Sequence, residues 1–355
     1  MSLPPLSAAD YDFDLPPHLI AQAPARPRDA ARLLVVTPDG LADRFVLDLP
    51  DLLRPGDLMM VNDTRVIPAR LRARRGEARL EILLNRAEAA PGHWQALVRN
   101  ARRLRPGDSL AIEGAPEVTA RVVQRLADGM ALLDFGPDAE ALAAALDRAG
   151  EVPLPPYVAR PGGPRPEDRE DYQAIFAARP GSVAAPTASL HFTPRLLEAL
   201  EARGVRRATV TLHVGAGTFL PLRGEDPRAH RLHAEWGEVT EETAAEIAAV
   251  RAAGGRIVAI GTTALRLLES AVDGAGRVAP YRGLTDLYLL PGHRFRSADL
   301  LLTNFHLPRS TLFMLVSAFG GTARLRAAYA HAIAAGYRFY SYGDACLITH
   351  APGAA

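Results

Sequence analysis

The residues that could carry chemistry gather where short apolar runs end. Leu300–Thr303 is too short for a helix and reads as a buried strand. Asn304–Ser310 is a polar loop broken by Pro308, and Thr311–Phe319 is an apolar run that begins right after Ser310, a good helix N-cap. The pattern is strand, polar loop, helix. Ligands of α/β proteins sit in the crevice at the carboxyl ends of strands, and a helix N-terminus there offers free N–H groups and partial positive charge to an anion. Arg309 adds a planar guanidinium suited to carboxylate or phosphate, and Asn304 and His306 add directional hydrogen bonds. The arrangement recurs at Asn62, Asp63, Thr64 and Arg65 after Leu58–Val61, at His213, Gly215 and Gly217 after Thr209–Leu212, and at Thr262, Thr263 and Arg266 after Val258–Gly261. Such strand ends converging on one crevice predict a nucleotide-like ligand pocket, because glycine and threonine let the backbone approach closely and donate hydrogen bonds.

Other candidates carry less. Gly215-Ala216-Gly217 is a partial dinucleotide fingerprint whose third glycine is replaced by Leu220. His230, His233 and Glu235 have spacings a metal could use, but no further acidic ligands stand near them. No metal is therefore expected, and His233 or Glu235 reads better as an acid or base. His191 and His213 sit beside apolar residues, as core histidines also do.

These groups need elements to position them. Leu33–Val36, Leu58–Val61, Ala208–Val214, Arg256–Ile260, Leu287–Leu290 and Leu300–Thr303 are expected strands; Pro194–Arg203, Glu238–Gly254, Ala264–Val272, Thr311–Phe319 and Ala327–Ala335 are expected helices. Asp39-Gly40 is a hairpin signal. Between Ala69 and Phe135 the texture changes to short strands separated by turn residues: Ala69–Arg74, Ala78–Asn85, Trp94–Arg99, Ser109–Ile112, Val118–Arg125 and Met130–Phe135. Strand–helix alternation resumes only afterwards, so a small β module, sandwich or barrel, interrupts a mixed α/β domain. The expected division is residues 1–66 as the first part of the α/β domain, 67–151 as the insertion, and 152–355 as the second part with the active-site loops. Arg65–Arg125 holds 13 arginines against 6 acidic residues, a charge of +7 where the rest of the chain sums to −6. A basic β module favours a polyanionic partner, although a solvated arginine face has the same composition. Ala159–Tyr172, rich in Pro, Gly and charge, reads as a mobile loop.

Composition removes several function classes. There is no lysine, so pyridoxal Schiff-base chemistry and a GK[ST] phosphate loop are excluded. The single cysteine, Cys346, excludes disulfide frameworks, Cys-rich zinc sites and cysteine-ligated iron–sulfur clusters. The acidic, proline-rich N-terminal stretch is not a secretory signal, no run approaches a membrane span, and a cytoplasmic protein is expected.

Read together, Asp12–Leu34, NDTRVIPARL, AAPTASLHFT, TLHVGAGTFLP, HRLHAEWGEV, GTTALRLLES, TNFHLPRSTLFMLVSAFGG and YRFYSYGDACLI resemble the S-adenosylmethionine:tRNA ribosyltransferase-isomerase family of queuosine biosynthesis, over nearly the whole chain and in order. Ser189, Ala264 and Ala234 depart from the family's usual glycine, serine and serine, and none removes a charged group. The resemblance implies an α/β domain interrupted by a β-barrel. It also implies transfer and isomerisation of the ribosyl part of S-adenosylmethionine onto the aminomethyl group of a 7-deazaguanine at the tRNA wobble position. Epoxyqueuosine forms, and adenine and methionine leave. S-adenosylmethionine would be a co-substrate with no tightly bound cofactor, tRNA the partner, and no obligate protein partner is implied.

On that resemblance His213 and His306 are candidates for the base that removes a C5′ hydrogen acidified by the sulfonium. Asp63 or Glu235 would hold and deprotonate the amine. Thr187, Gly215, Gly217, Thr262, Thr263, Arg266 and Asn304 would bind the donor, with Arg309 or the Ser310 helix end taking the methionine carboxylate. Arg65, Arg70 and the basic module would hold anticodon phosphates. The competing expectations are another S-adenosylmethionine-dependent tRNA enzyme, such as a methyltransferase, and a non-catalytic RNA-binding protein.

Overall fold

In this computed structural model, which describes residues 6–99, 101–219 and 225–351, the chain enters a sheet at β1 (Arg32–Thr37) and turns at Asp39-Gly40 into antiparallel β2 (Gly40–Phe45). A short α1 (Leu49–Leu52) leads to β3 (Leu58–Asn62), buried at every position. After β4 (Thr64–Val66) come six strands: β5 (Arg70–Arg75), β6 (Ala78–Ala87), β7 (His93–Val98), β8 (Ser109–Ile112), β9 (Thr119–Arg125) and β10 (Met130–Asp134). They close into an antiparallel barrel in the order β10-β7-β6-β5-β8-β9. The alternation of apolar and polar residues along β8 and β9 turns one row inward (Leu110, Ile112, Ala120, Val122) and leaves the other in solvent. Helix α2 (Ala139–Ala149), capped by Asp138, packs Leu142, Ala145 and Leu146 into that same core.

The chain then returns to the large domain through α3 (Asp168–Asp171), β11 (Arg179–Ser182), α4 (Pro194–Ala202), β12 (Arg206–Leu212), β13 (Glu235–Val239), α5 (Glu241–Ala252), β14 (Ile257–Ile260), α6 (Thr262–Ser270), β15 (Tyr281–Thr285), β16 (Leu300–Asn304), α7 (Thr311–Gly320), α8 (Thr322–Ala334) and β17 (Ala345–Thr349). The nine-stranded sheet runs β15-β13-β12-β3-β14-β16-β17-β1-β2. Its centre, β12-β3-β14-β16, is parallel throughout. Strands of this kind are covered on both faces, which is why their sequences are continuous apolar runs. One face packs against α5, α6, α7 and α8 around Leu267, Phe313 and Tyr329; the other packs against α1 and α4 around Leu49, Leu196 and Leu200.

The expected mixed α/β domain with an inserted barrel is therefore observed, and three local expectations are corrected. The expected helix over 238–254 begins only at Glu241, because Glu235–Val239 pairs with β12 and Thr240 caps the helix that follows. Leu287–Leu290 is not a strand. The edge strand is Tyr281–Thr285, and the Thr285 hydroxyl accepts the Leu287 N–H at 3.2 Å, turning the chain so that Leu289 drops into the core. The 159–172 segment is pinned rather than loose: Arg160 and Asp168, both nearly buried, form an ion pair at 2.7 Å.

Gly150 joins the barrel helix to the bridge between Arg70 and Glu151. A Cβ there would fall against the carbonyl oxygens of Pro68 and Leu146, 2.5 Å from the latter. Neither backbone oxygen can step aside, so Gly150→Ala is expected to cost about 1–3 kcal/mol or more in a denaturant titration. Gly162→Ala, with nothing within 4 Å of the added methyl, should be nearly neutral.

Candidate functional site

Because β12, β3, β14 and β16 are parallel, their carboxyl ends emerge along one edge. A cavity of about 790 Å³ opens there. Its floor is the strand ends and the N-termini of two helices: Gly261, Thr262 and Thr263 at α6, and Ser310, Thr311 and Leu312 at α7. Its wall carries Tyr157, Tyr172, Phe305 and Tyr340. Tyr157 lies 4.5 Å from Tyr340 between ring centroids, and its hydroxyl bonds Ser341 at 2.7 Å.

Of the residues singled out in the sequence, Thr187, Thr262, Thr263, Arg266, Asn304, His306, Arg309 and Ser310 line this cavity. Thr187 donates to Asn304 Oδ1 at 3.0 Å, and Asn304 Nδ2 meets His191 Nε2 at 3.2 Å. His306 is held by Thr303, whose Oγ1 is 2.9 Å from Nε2, and its backbone N–H donates to the Tyr329 hydroxyl. Burial lowers the His306 pKa to about 3 and that of His191 to about 4, so both imidazoles are neutral at pH 7. Arg309 (φ 52°) and Tyr340 (φ 73°) hold left-handed backbone at the cavity, a conformation that non-glycine residues adopt at a cost and that clusters at ligand sites. The Arg309 side chain is half exposed, with Asp12 as its nearest carboxylate at 3.9 Å.

His213 and Asp63 lie elsewhere, in a second polar cluster beside the cavity rather than lining it. The His213 ring stacks on Trp236 at 5.2 Å between centroids, and Nδ1 is 2.8 Å from Thr64 Oγ1. Burial, helped by Arg179, lowers its pKa to about 4. Gly181 makes the close approach possible, since a Cβ there would sit 2.9 Å from Nε2. Burial raises the Asp63 pKa against the Thr211 hydrogen bond of 2.6 Å and the charge of Arg179. Glu235 sits below the cavity, where it accepts the Gly215 N–H at 2.8 Å and pairs with Arg266. Gly217 packs against His233, which a Cβ would meet at 2.8 Å. Arg65 is exposed, and Arg70 faces Glu81 at 4.0 Å. No cluster of three His, Cys, Asp or Glu side chains that could hold a metal occurs among the described residues, and no helix there is long and apolar enough to cross a membrane.

The sequence reading missed the tyrosine wall. Tyr340 lies in the aromatic-rich stretch YRFYSYGD, where density of rings was the available signal. Tyr157 lies in a proline-rich segment with none, and only the return of the chain over the strand ends brings it to the site.

A crevice of this kind at parallel strand ends, with an arginine-rich barrel inserted beside it, is the architecture of an α/β enzyme. The family model for queuosine biosynthesis protein matches residues 8–348. The chain is 60% identical over 346 residues to the S-adenosylmethionine:tRNA ribosyltransferase-isomerase of Acidiphilium cryptum, covering 98% of this chain and 100% of that protein. It is 62% identical to the enzyme of the same name from Gluconacetobacter diazotrophicus, covering 97% of each. The crystal structure of S-adenosylmethionine tRNA ribosyltransferase from Thermotoga maritima matches with a TM-score of 0.55 at 37% identity, covering 96% of this chain and 99% of that one. The chain belongs to the queuosine biosynthesis family of S-adenosylmethionine:tRNA ribosyltransferase-isomerases.

The buried histidines tie stability to pH. Each is neutral when folded and takes up a proton near pH 6.5 when unfolded, so stability is full above 6.5 and falls as pH drops toward 4 for His191 and His213 and toward 3 for His306. Replacing His306 with Gln is expected to remove about 1.4 kcal/mol per pH unit from the slope of unfolding free energy between pH 6 and 5, measured by denaturant titration. An unchanged slope would mean that His306 is solvated.

Proposed function

We propose that this protein transfers the ribosyl part of S-adenosylmethionine to the aminomethyl group of a 7-deazaguanine at the tRNA wobble position, giving epoxyqueuosine and releasing adenine and methionine. The observation that carries this reading is the cavity. Its 790 Å³ lies within the roughly 300–1,000 Å³ of small-molecule sites, and its aromatic wall and helix N-termini match the flat base and the polar tail of S-adenosylmethionine. Tyr157 and Tyr340 offer faces to adenine, and Thr187 and Asn304 offer hydrogen bonds to the nucleoside. Gly215 and Gly217, expected to bind the donor, are not among the residues that line the cavity: Asn85 and His233 fill the space a Cβ would take at each.

The chemistry needs a base for the acidic C5′ hydrogen, a proton for departing adenine and removal of a proton from the attacking amine. His306 is the better placed base by position, because it lines the cavity. His213 and Asp63, fixed together at the neighbouring strand ends, are suited to the acceptor side, where a carboxylate would hold the aminomethyl group. The protein is active in this reading as a cytoplasmic tRNA-modifying enzyme, without metal or resident cofactor and without an obligate protein partner.

Anticodon phosphates would lie on the barrel and on Arg65. Arg70, Arg72, Arg74, Arg75 and Arg86 already face carboxylates there, whereas Arg79, Arg102 and Arg103 are exposed and make no ion pair among the described residues.

The test is product analysis by mass spectrometry with S-adenosylmethionine and tRNA bearing the aminomethyl-deazaguanine. Adenine and methionine in equal amounts, with a matching mass gain on the tRNA, is the expected result; S-adenosylhomocysteine would replace this reading with methyl transfer. His306→Gln should lower kcat by about 100- to 10,000-fold with S-adenosylmethionine binding retained. Removing Arg79, Arg102 and Arg103 together should lower the magnitude of the salt slope of tRNA binding by about 2 to 3, while Arg74→Ala, which breaks only the pair with Glu113, should leave it nearly unchanged.

A further inference from the structure

Two helix N-termini face the cavity, and they differ. At α7 the Ser310 hydroxyl accepts the Phe313 N–H at 3.1 Å and donates to the Leu307 carbonyl at 2.7 Å, so this end is already capped. At α6 the cap position is Gly261 (φ 88°), which has no side chain, and no side-chain cap bond closes the helix end. The N–H groups of its first turn are left toward the cavity floor formed by Thr262 and Thr263.

One turn further along α6, Arg266 lines the same floor while only 7% exposed. Burial lowers its pKa to about 10, which leaves it cationic at neutral pH. Its Nη2 pairs with Glu235 Oε2, and its Nε has no hydrogen-bond partner among the described residues. The Thr263 hydroxyl beside it is likewise buried without a partner. A guanidinium carries five donors, and leaving them unmade in a buried site is costly. Glu235 is itself only 5% exposed and is fixed by the Gly215 N–H. It therefore cannot swing to a substrate without abandoning two partners.

We infer that the α6 N-terminus, Thr263 and Arg266 form the anion subsite that receives the carboxylate of the methionyl tail, and that Glu235 is a positioning residue that orients Arg266. This places the carboxylate away from Arg309 and the Ser310 end, and gives Glu235 a role other than base. The assignment rests on the adenosyl-donor reading above and specifies where in the cavity the donor's polar end lies.

Calorimetric binding of S-adenosylmethionine and of its decarboxylated analogue, without tRNA, tests it. The wild-type protein should prefer the carboxylated ligand by about 100-fold. Arg266→Met combined with Glu235→Gln, which leaves no unpaired buried charge, should reduce the preference to under about 10-fold while leaving the analogue's affinity close to wild type. Thr263→Val, which keeps the ion pair and the fold, should reduce it by about 3- to 10-fold. Glu235→Gln alone should weaken S-adenosylmethionine more than the analogue. If these variants keep the full preference, or if Arg309→Ala abolishes it, the subsite is elsewhere and the inference is wrong. A wild-type protein that binds neither ligand would overturn the adenosyl-donor reading itself, and the subsite with it.

Discussion

The side chain of Asn62 holds the site's geometry together. Fully buried at the last position of β3, its amide donates to the Leu212 carbonyl at 2.9 Å and its oxygen accepts the Leu212 N–H at 3.0 Å and the Thr64 N–H at 3.2 Å. It stands in for a strand backbone where β3 has turned away from β12. The buried peptide groups of Leu212 would otherwise be unpaired, at a cost of about 1–3 kcal/mol for each group. Because the amide extends the sheet by side chain rather than by main chain, the two strands can part at this point. His213 and Asp63 go to one side, and Val214 goes to the cavity. An aspartate or leucine of similar size could not both donate and accept here.

From that parting the site acquires two compartments with different electrostatics. The cavity holds the neutral imidazole of His306, hydroxyls and the buried Arg266, whose charge is balanced by Glu235 beneath it. The cluster around Asp63 holds a half-buried carboxylate between Arg179, Glu238 and Trp236, with Arg179 bonded to the Thr211 hydroxyl at 3.0 Å. In the reaction proposed above, a sulfonium donor and an amine acceptor would need such different surroundings: the first must not be drawn away by a stray carboxylate, and the second must lose a proton. Burial accomplishes both with ordinary residues, lowering the histidine pKa values and raising that of Asp63.

The barrel and the sheet are joined by close backbone approach. The Ala216 N–H of the large domain donates to Asn85 Oδ1 of the barrel at 2.7 Å, a Cβ on Gly215 would meet that same oxygen at 2.7 Å, and Val183 and Ala216 pack into the barrel core. The barrel is thus packed against the large domain, not hung from a linker. The price of this rigidity is the set of glycines at the junction, whose replacement has nowhere to go.

Much was legible in the sequence because local rules decided it. Continuous apolar runs gave the buried parallel strands, the short runs between turn residues gave the six barrel strands nearly residue for residue, and Ser310 and Thr193 sit just before the helix starts expected at Thr311 and Pro194, where capping is a matter of a few adjacent residues. Long ordered motifs also identified the family. The misread helix start at Glu238 and the misplaced edge strand had the opposite cause, since a pairing partner far along the chain overrode local preference. The site followed the same division. Residue types at strand ends named the polar groups, but only tertiary structure decided that His306 and Arg266 share a cavity while His213 and Asp63 stand outside it, that Glu235 is already engaged by Arg266, and that Tyr157 closes the wall from another segment. Those outcomes depend on which way a strand turns after its last hydrogen bond and on what burial leaves unpaired, and neither is encoded in neighbouring residues.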